Sequence, residues 1–198
     1  MLIGRGFVCA AVAVGMLIVG SGAASATTNL VKDASFEKPV VPVGSFELFS
    51  LGQTFDGWKV VGARGNVAPV SGKYRGDGIT FNAKVGAQWM DLTGLSNTRT
   101  GIAQSVATKP GTKYHLTFWV GNVYDPGGIF GVRSTVKVYV NNILRLTATN
   151  STRPSGRTQA WKKFTLTIKA TSGHTTISFI NGDPATDDSN GLDAIQLS

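Results

Sequence analysis

Residues 101–122 read GIAQSVATKPGTKYHLTFWVGN. Lys109-Pro110-Gly111-Thr112 has Pro at the second turn position and Gly at the third, the chemistry of a type II turn. From Tyr114 to Val120 the chain alternates strictly: Tyr114, Leu116, Phe118 and Val120 point one way, and His115, Thr117 and Trp119 the other. The first set predicts a buried sheet face. The second is polar except for Trp119, a large aromatic on the side that a sheet normally gives to water.

The pattern repeats outward. Residues 132–140 set Val132, Ser134, Val136, Val138 and Val140 against Arg133, Thr135, Lys137 and Tyr139. Asn141-Asn142 reads as a two-residue hairpin turn, because Asn tolerates positive φ. Further strands are expected near residues 29–37, 57–61, 88–92, 143–148, 164–168, 175–180 and 192–197. Residues 40–55, 63–78, 124–131 and 153–159 read as loops. No helix-period segment of useful length follows the N-terminal region. About nine or ten short strands between Gly, Pro, Asn and Asp predict an all-β antiparallel jelly-roll sandwich. The uneven loops argue against an up-and-down barrel.

Residues 1–26 read as a signal peptide. Arg5 precedes a small apolar run, and Ala24-Ser25-Ala26 is a cleavage signature. Residues 27–198 then form a single exported domain, secreted or held in the cell wall, with no membrane association after cleavage. The sole cysteine, Cys9, leaves with the signal, so stability must come from packing or a metal ion. The formal net charge of +8 includes Arg5 and suits an acidic partner. The basic residues are scattered and form no nucleic-acid motif, which argues against that class.

The opening Asn29-Leu30-Val31-Lys32-Asp33-Ala34-Ser35-Phe36-Glu37 resembles the start of galactose-binding-like jelly rolls. Gly57-Trp58, Gln88-Trp89-Met90-Asp91-Leu92, Gly101-Ile102-Ala103-Gln104, Trp161-Lys162-Lys163-Phe164 and Gly191-Leu192-Asp193-Ala194-Ile195 extend that resemblance across the chain. It is similar to secreted plant cell-wall proteins grouped as a domain of unknown function, and to bacterial exported choice-of-anchor C proteins. The resemblance implies a carbohydrate-binding-module fold and polysaccharide association without catalysis. It also implies a structural calcium joining the first strand to the last, with Glu37 and Asp193 as ligands.

On this reading the ligand site is the non-core sheet face. Trp119, Tyr139 and Lys137 are expected on one surface with His115, Arg133 and Trp89. Aromatic planes would stack on sugar rings and the cations would favour an acidic polysaccharide. The edge-loop aromatics Tyr74, Tyr124 and Phe130 are the fallback site. Asp91 shares a strand face with Trp89 and is placed to orient a hydroxyl. Residues 183–190, DPATDDSN, read as a solvated acidic loop. No Gly-x-Ser-x-Gly or His-Glu motif occurs, and no carboxylate pair is marked, so the expectation is a non-catalytic carbohydrate-binding protein. A structural or adhesive surface protein and an exported glycan-active enzyme are the alternatives.

Overall fold

The computed structural model describes Met1 and residues 28–198; the expected cleavage after Ala26 lies outside the described residues. Fourteen strands form all the regular structure there: β1 (Phe49–Ser50), β2 (Thr54–Phe55), β3 (Trp58–Gly62), β4 (Asn66–Ser71), β5 (Tyr74–Gly76), β6 (Ile79–Phe81), β7 (Gln88–Asp91), β8 (Thr100–Ala107), β9 (Lys113–Asn122), β10 (Ser134–Val140), β11 (Ile143–Asn150), β12 (Ala160–Lys169), β13 (His174–Asn181) and β14 (Gly191–Leu197). None of the described residues forms a helix long and apolar enough to cross a membrane.

Two six-stranded antiparallel sheets pack face to face. One runs β1-β4-β7-β14-β9-β12 and the other β11-β10-β13-β8-β3-β2. This is the expected jelly-roll sandwich. Leu116, Phe118 and Val120 of β9 are fully buried against Val136 and Val138 of β10 and Phe179 of β13, so the alternation in both stretches points the apolar set inward. Gly111 takes φ +82°, and the Thr112 N–H donates to the Lys109 carbonyl at 3.1 Å, which closes the turn before β9. Asn141 and Asn142 both have positive φ, as the two-residue hairpin requires.

Several expectations need correction: residues 40–55 hold the short strands β1 and β2, and the strands among the described residues number fourteen rather than nine or ten. Residues 29–37 are not a strand. Asp33 and Phe36 have positive φ, and the segment instead hooks onto β14: Leu30 N–H donates to the Leu197 carbonyl and Ile195 N–H to the Ala34 carbonyl. Residues 63–78 are not a loop. They contain β4 and most of the β5–β6 hairpin, which folds back over the outer face of the first sheet.

That hairpin gives the molecule a second apolar cluster. Ala68 and Val70 of β4, Trp89 of β7, Ile79 and Phe81 of β6, and Val123 are buried there, with Tyr74, Phe130 and Trp161 packed around them. Two indole N–H groups fasten the hairpin end to the sheet: Trp89 donates to the Phe81 carbonyl at 3.3 Å and Trp161 to the Asn82 carbonyl at 3.0 Å. Buried tryptophans find such partners because an unpaired N–H is costly away from water.

Candidate active site

Between hairpin, outer sheet face and two loops lies a cavity of about 160 Å³. Its walls are aromatic, formed by Phe46, Tyr74, Phe81, Trp89 and Phe130. Phe81 stacks near-parallel on Trp89 at 6.0 Å and meets Phe130 edge-on at 4.9 Å. Leu95 and Ile129 also line it and are 67% and 58% exposed, which marks an apolar mouth. A cavity of roughly 150 Å³ with apolar walls holds a benzene-sized guest.

Two carboxylates break the apolar lining, Asp91 and Asp188. Asp91 ends β7 two residues after Trp89, so strand parity puts both on the outer face. Its Oδ1 accepts from Thr93 N–H at 2.9 Å, Thr93 Oγ1–H at 2.6 Å and Asn190 N–H at 3.3 Å. Among the described residues no donor reaches Oδ2. Burial pushes Asp91 up to about 6; the hydrogen bonds pull the other way, and the negative charge of Asp188 adds to the rise.

Asp188 belongs to the 182–190 loop and is held at the cavity by its own N–H, which donates to the Ile129 carbonyl at 3.0 Å. Burial raises its carboxyl as well. Its Oδ1 is buried with no partner among the described residues. Behind it, Asp183 accepts the Thr135 N–H, and burial pushes it up to about 9. This loop is therefore not a solvated acidic segment. Asp187, Ser189 and Asn190 are buried; Asp187 faces Arg133 at 3.9 Å, and Asn190 Nδ2–H donates to the Thr135 carbonyl and to Asn181 Oδ1.

The residues expected to bind sugar do not share a surface. Trp119 and His115 lie on β9 in the first sheet, while Lys137 and Tyr139 lie on β10 in the second. Both sets point away from the core, but from opposite outer faces of the sandwich. Lys84 Nζ covers the Trp119 ring at 3.9 Å. His115 is exposed, with Nδ1 3.4 Å from Thr167 Oγ1. Lys137 and Tyr139 line a trough of about 540 Å³ with Arg99 and Ser178. Arg133 precedes β10 in a loop. Trp89 is buried in the second cluster, where it joins Tyr74 and Phe130 from the fallback set; Tyr124 instead packs under Arg153. Asp188 had no local signature: its role comes from the loop's contact with residue 129.

Glu37 and Asp193 do come together, over residues 84–88. Glu37 Oε1 accepts from Ala87 and Gln88 N–H, and Asp193 Oδ2 from Lys84 and Val85 N–H. Burial raises Asp193 to about 7, with the charge of Glu37 adding to the rise. Among the described residues no three His, Cys, Asp or Glu side chains form a metal cage.

A cyclase from Fischerella sp. TAU, solved in complex with 4-(1H-indol-3-yl)butan-2-one, is 19% identical; the alignment covers 87% of this chain and 97% of that one at a TM-score of 0.60. The Stig cyclase Fisc from Fischerella sp. TAU, in complex with (3Z)-3-(1-methyl-2-pyrrolidinylidene)-3H-indole, is 20% identical over 86% of this chain and 96% of that one, at 0.58. The CBM22-1 xylan-binding domain of Paenibacillus barcinonensis Xyn10C is 16% identical over 79% and 96%, at a TM-score of 0.46. The two cyclase similarities speak to the fold alone. No curated protein sequence matches the chain. Residues 27–198 match the HpiC1-like family, described as HpiC1 cyclase. That match overturns the expectation of a non-catalytic carbohydrate-binding protein: the chain belongs to the HpiC1-like cyclase family.

Proposed function

We propose that the chain catalyses an acid-promoted cyclisation of a small aromatic substrate that seats one ring in the cavity between the β5–β6 hairpin and the first sheet and extends to the apolar mouth. The observation that carries this reading is the Asp91–Asp188 pair: two carboxylates, both raised by burial, inside aromatic walls. The indole compounds bound by the Fischerella cyclases fit the same chemistry.

The two acids divide the work by their hydrogen bonds. Donors aimed at a carboxylate favour its ionised form. Asp91 has three, all on Oδ1, and is the member that stays charged. No donor among the described residues reaches the Asp188 carboxylate and burial raises it, so Asp188 is assigned the proton of the pair. Asp188 gives that proton to an unsaturated carbon of the substrate. The cation that forms lies against aromatic faces, whose negative quadrupoles attract it. An internal π bond attacks the cationic carbon and closes the ring. A proton then returns from carbon to the carboxylate pair, so the product is an isomer of the substrate. The test is incubation with indole-bearing alkenes, reading isomeric products by mass and NMR. No isomer formed across such a panel, at any pH from 5 to 8, would overturn the reading.

A structural calcium at Glu37 and Asp193 belongs to the same proposal. Two neighbouring carboxylates, one driven to about 7, are what a divalent cation relieves. Without the ion, Asp193 holds its proton more tightly in the folded chain than its ordinary 3.8 allows. That contribution to stability is complete at low pH and is lost as pH rises through about 7. Calcium takes the ionised form and reverses the trend. Added calcium should therefore raise the melting temperature of chelator-treated protein at pH 8, with the gain shrinking below pH 7. An unchanged melting temperature at pH 8 removes calcium from the proposal. Export also remains part of it: the family match begins at Thr27, directly after the A-x-A signature, and N-terminal sequencing of exported protein should begin there.

A further inference from the structure

Gln159 stands immediately before β12 and is 3% exposed, yet neither its Oε1 nor its Nε2 has a partner. An amide left like this is costly, and it marks an interaction still to be made. Its backbone is accounted for, since the N–H donates to the Thr80 carbonyl at 3.0 Å. The side chain is the open question.

The register of the first sheet places it. Trp161 of β12 pairs with Gly121 of β9, Gly121 with Gly191 of β14, and Gly191 with Asp91 of β7. These four lie in one row on the outer face, and the middle two have no side chain. That bare strip is where Gln159 rests. A Cβ on Gly121 would collide with Gln159 Nε2, and one on Gly191 would come within 2.7 Å of it. The ring edge of Trp161 shares the strip, 2.9 and 3.2 Å from the same two positions. Directly opposed side chains on neighbouring strands start about 4.5–5.5 Å apart. The Gln159 amide is therefore one strand step from Asp91, whose Oδ2 accepts no hydrogen bond. A buried donor without an acceptor thus lies one strand step from a carboxylate oxygen of the cavity wall that no donor among the described residues reaches.

We propose that Gln159 is a positioning residue for Asp91: on a small side-chain rotation its Nε2–H donates to Asp91 Oδ2. This rests on the reading of the Asp91–Asp188 pair as the acid of the site. With Thr93 and Asn190 holding Oδ1 and Gln159 holding Oδ2, both oxygens of Asp91 are fixed and its ionised form is favoured. That keeps the proton on Asp188. The acids that face Asp91 are Asp188 and, behind it, Asp183, both from the 182–190 loop; its remaining hydrogen-bond partners, Thr93 and Asn190, are neutral. An uncharged amide is thus the group that offsets the neighbouring negative charge.

The experiment needs no substrate, so it fails independently of the cyclisation reading. Carboxyl ¹³C shifts of Asp91, assigned with Asp91→Asn, are followed from pH 4 to 9 in the full domain and in Gln159→Met and Gln159→Glu. Loss of a charge-assisted hydrogen bond moves a midpoint by about one pH unit. Gln159→Met should raise the Asp91 midpoint by about that much, and Gln159→Glu, which adds a negative charge in the same volume, by more. Melting curves of both variants check that the fold persists. If Gln159→Met disturbs folding, Gln159→Leu, which also removes the amide without adding charge, carries the test. A folded variant whose Asp91 midpoint is unmoved overturns the proposal, whether or not the wild-type chain turns over an indole substrate.

Discussion

Asp188→Asn is expected to lower cyclisation by at least about 100-fold while leaving the melting temperature nearly unchanged, since positioned general acids contribute about 10²–10⁴ in rate. The substitution keeps the shape of the side chain and removes its proton. Asp91→Asn is expected to be comparably slow for a different reason: without its charge, the proton on Asp188 is held less firmly and the returning proton loses its acceptor. Rates measured against pH separate the two roles. In the wild type, activity should fall as pH rises and Asp188 ionises. Full activity in Asp188→Asn would take that residue out of the reaction.

The second large effect concerns tryptophan. Trp89→Ala is expected to cost about 3–5 kcal/mol and a clear drop in melting temperature, as removal of a buried aromatic does. Trp89 is 2% exposed, stacks on Phe81, meets Trp161 edge-on at 6.2 Å and holds the Phe81 carbonyl. Its loss loosens the hairpin and opens the cavity wall together. Trp119→Ala should cost less, because its ring is only partly buried, outside both apolar clusters, and its contact with Lys84 Nζ is worth about 0.5–1 kcal/mol at such a site. Thermal melts of the two variants side by side test the assignment; equal losses would contradict it.

These two tryptophans show where sequence reading reaches its limit. Parity along β7 and β9 correctly turns both Trp89 and Trp119 away from the sandwich core. Parity does not say what covers an outer face. The β5–β6 hairpin covers the β7 end of the sheet and leaves Trp119 beyond it. The hairpin was hidden because residues 72–78 are rich in glycine and its strands are three residues each. Strand β4 was hidden for another reason: Val67 through Ser71 are all buried, so no alternation survives, and Pro69 argues against a central strand. Parity also cannot say which sheet a strand joins. Trp119 and Tyr139 therefore seemed to share a surface, although β9 and β10 lie in opposite layers. Asp91 was legible through its spacing from Trp89. Asp188 was not, because an acidic loop looks solvated until the Ile129 carbonyl is seen to tie it down.

The sandwich core and the cavity cluster are built on opposite faces of one sheet and have no buried side chain in common. Phe118, Met90 and Leu192 can hold the framework whatever lines the other side. Apart from Ala68, Val70, Phe81 and Trp89, the cavity takes its apolar shape from Phe46, Tyr74, Leu95, Ile129 and Phe130, on loops and a short hairpin. Divergence can therefore remodel the guest this surface accepts without renegotiating the architecture beneath it. Laboratory evolution of new ring-forming specificities should begin with those five positions and leave the inner faces of β7, β9 and β14 untouched.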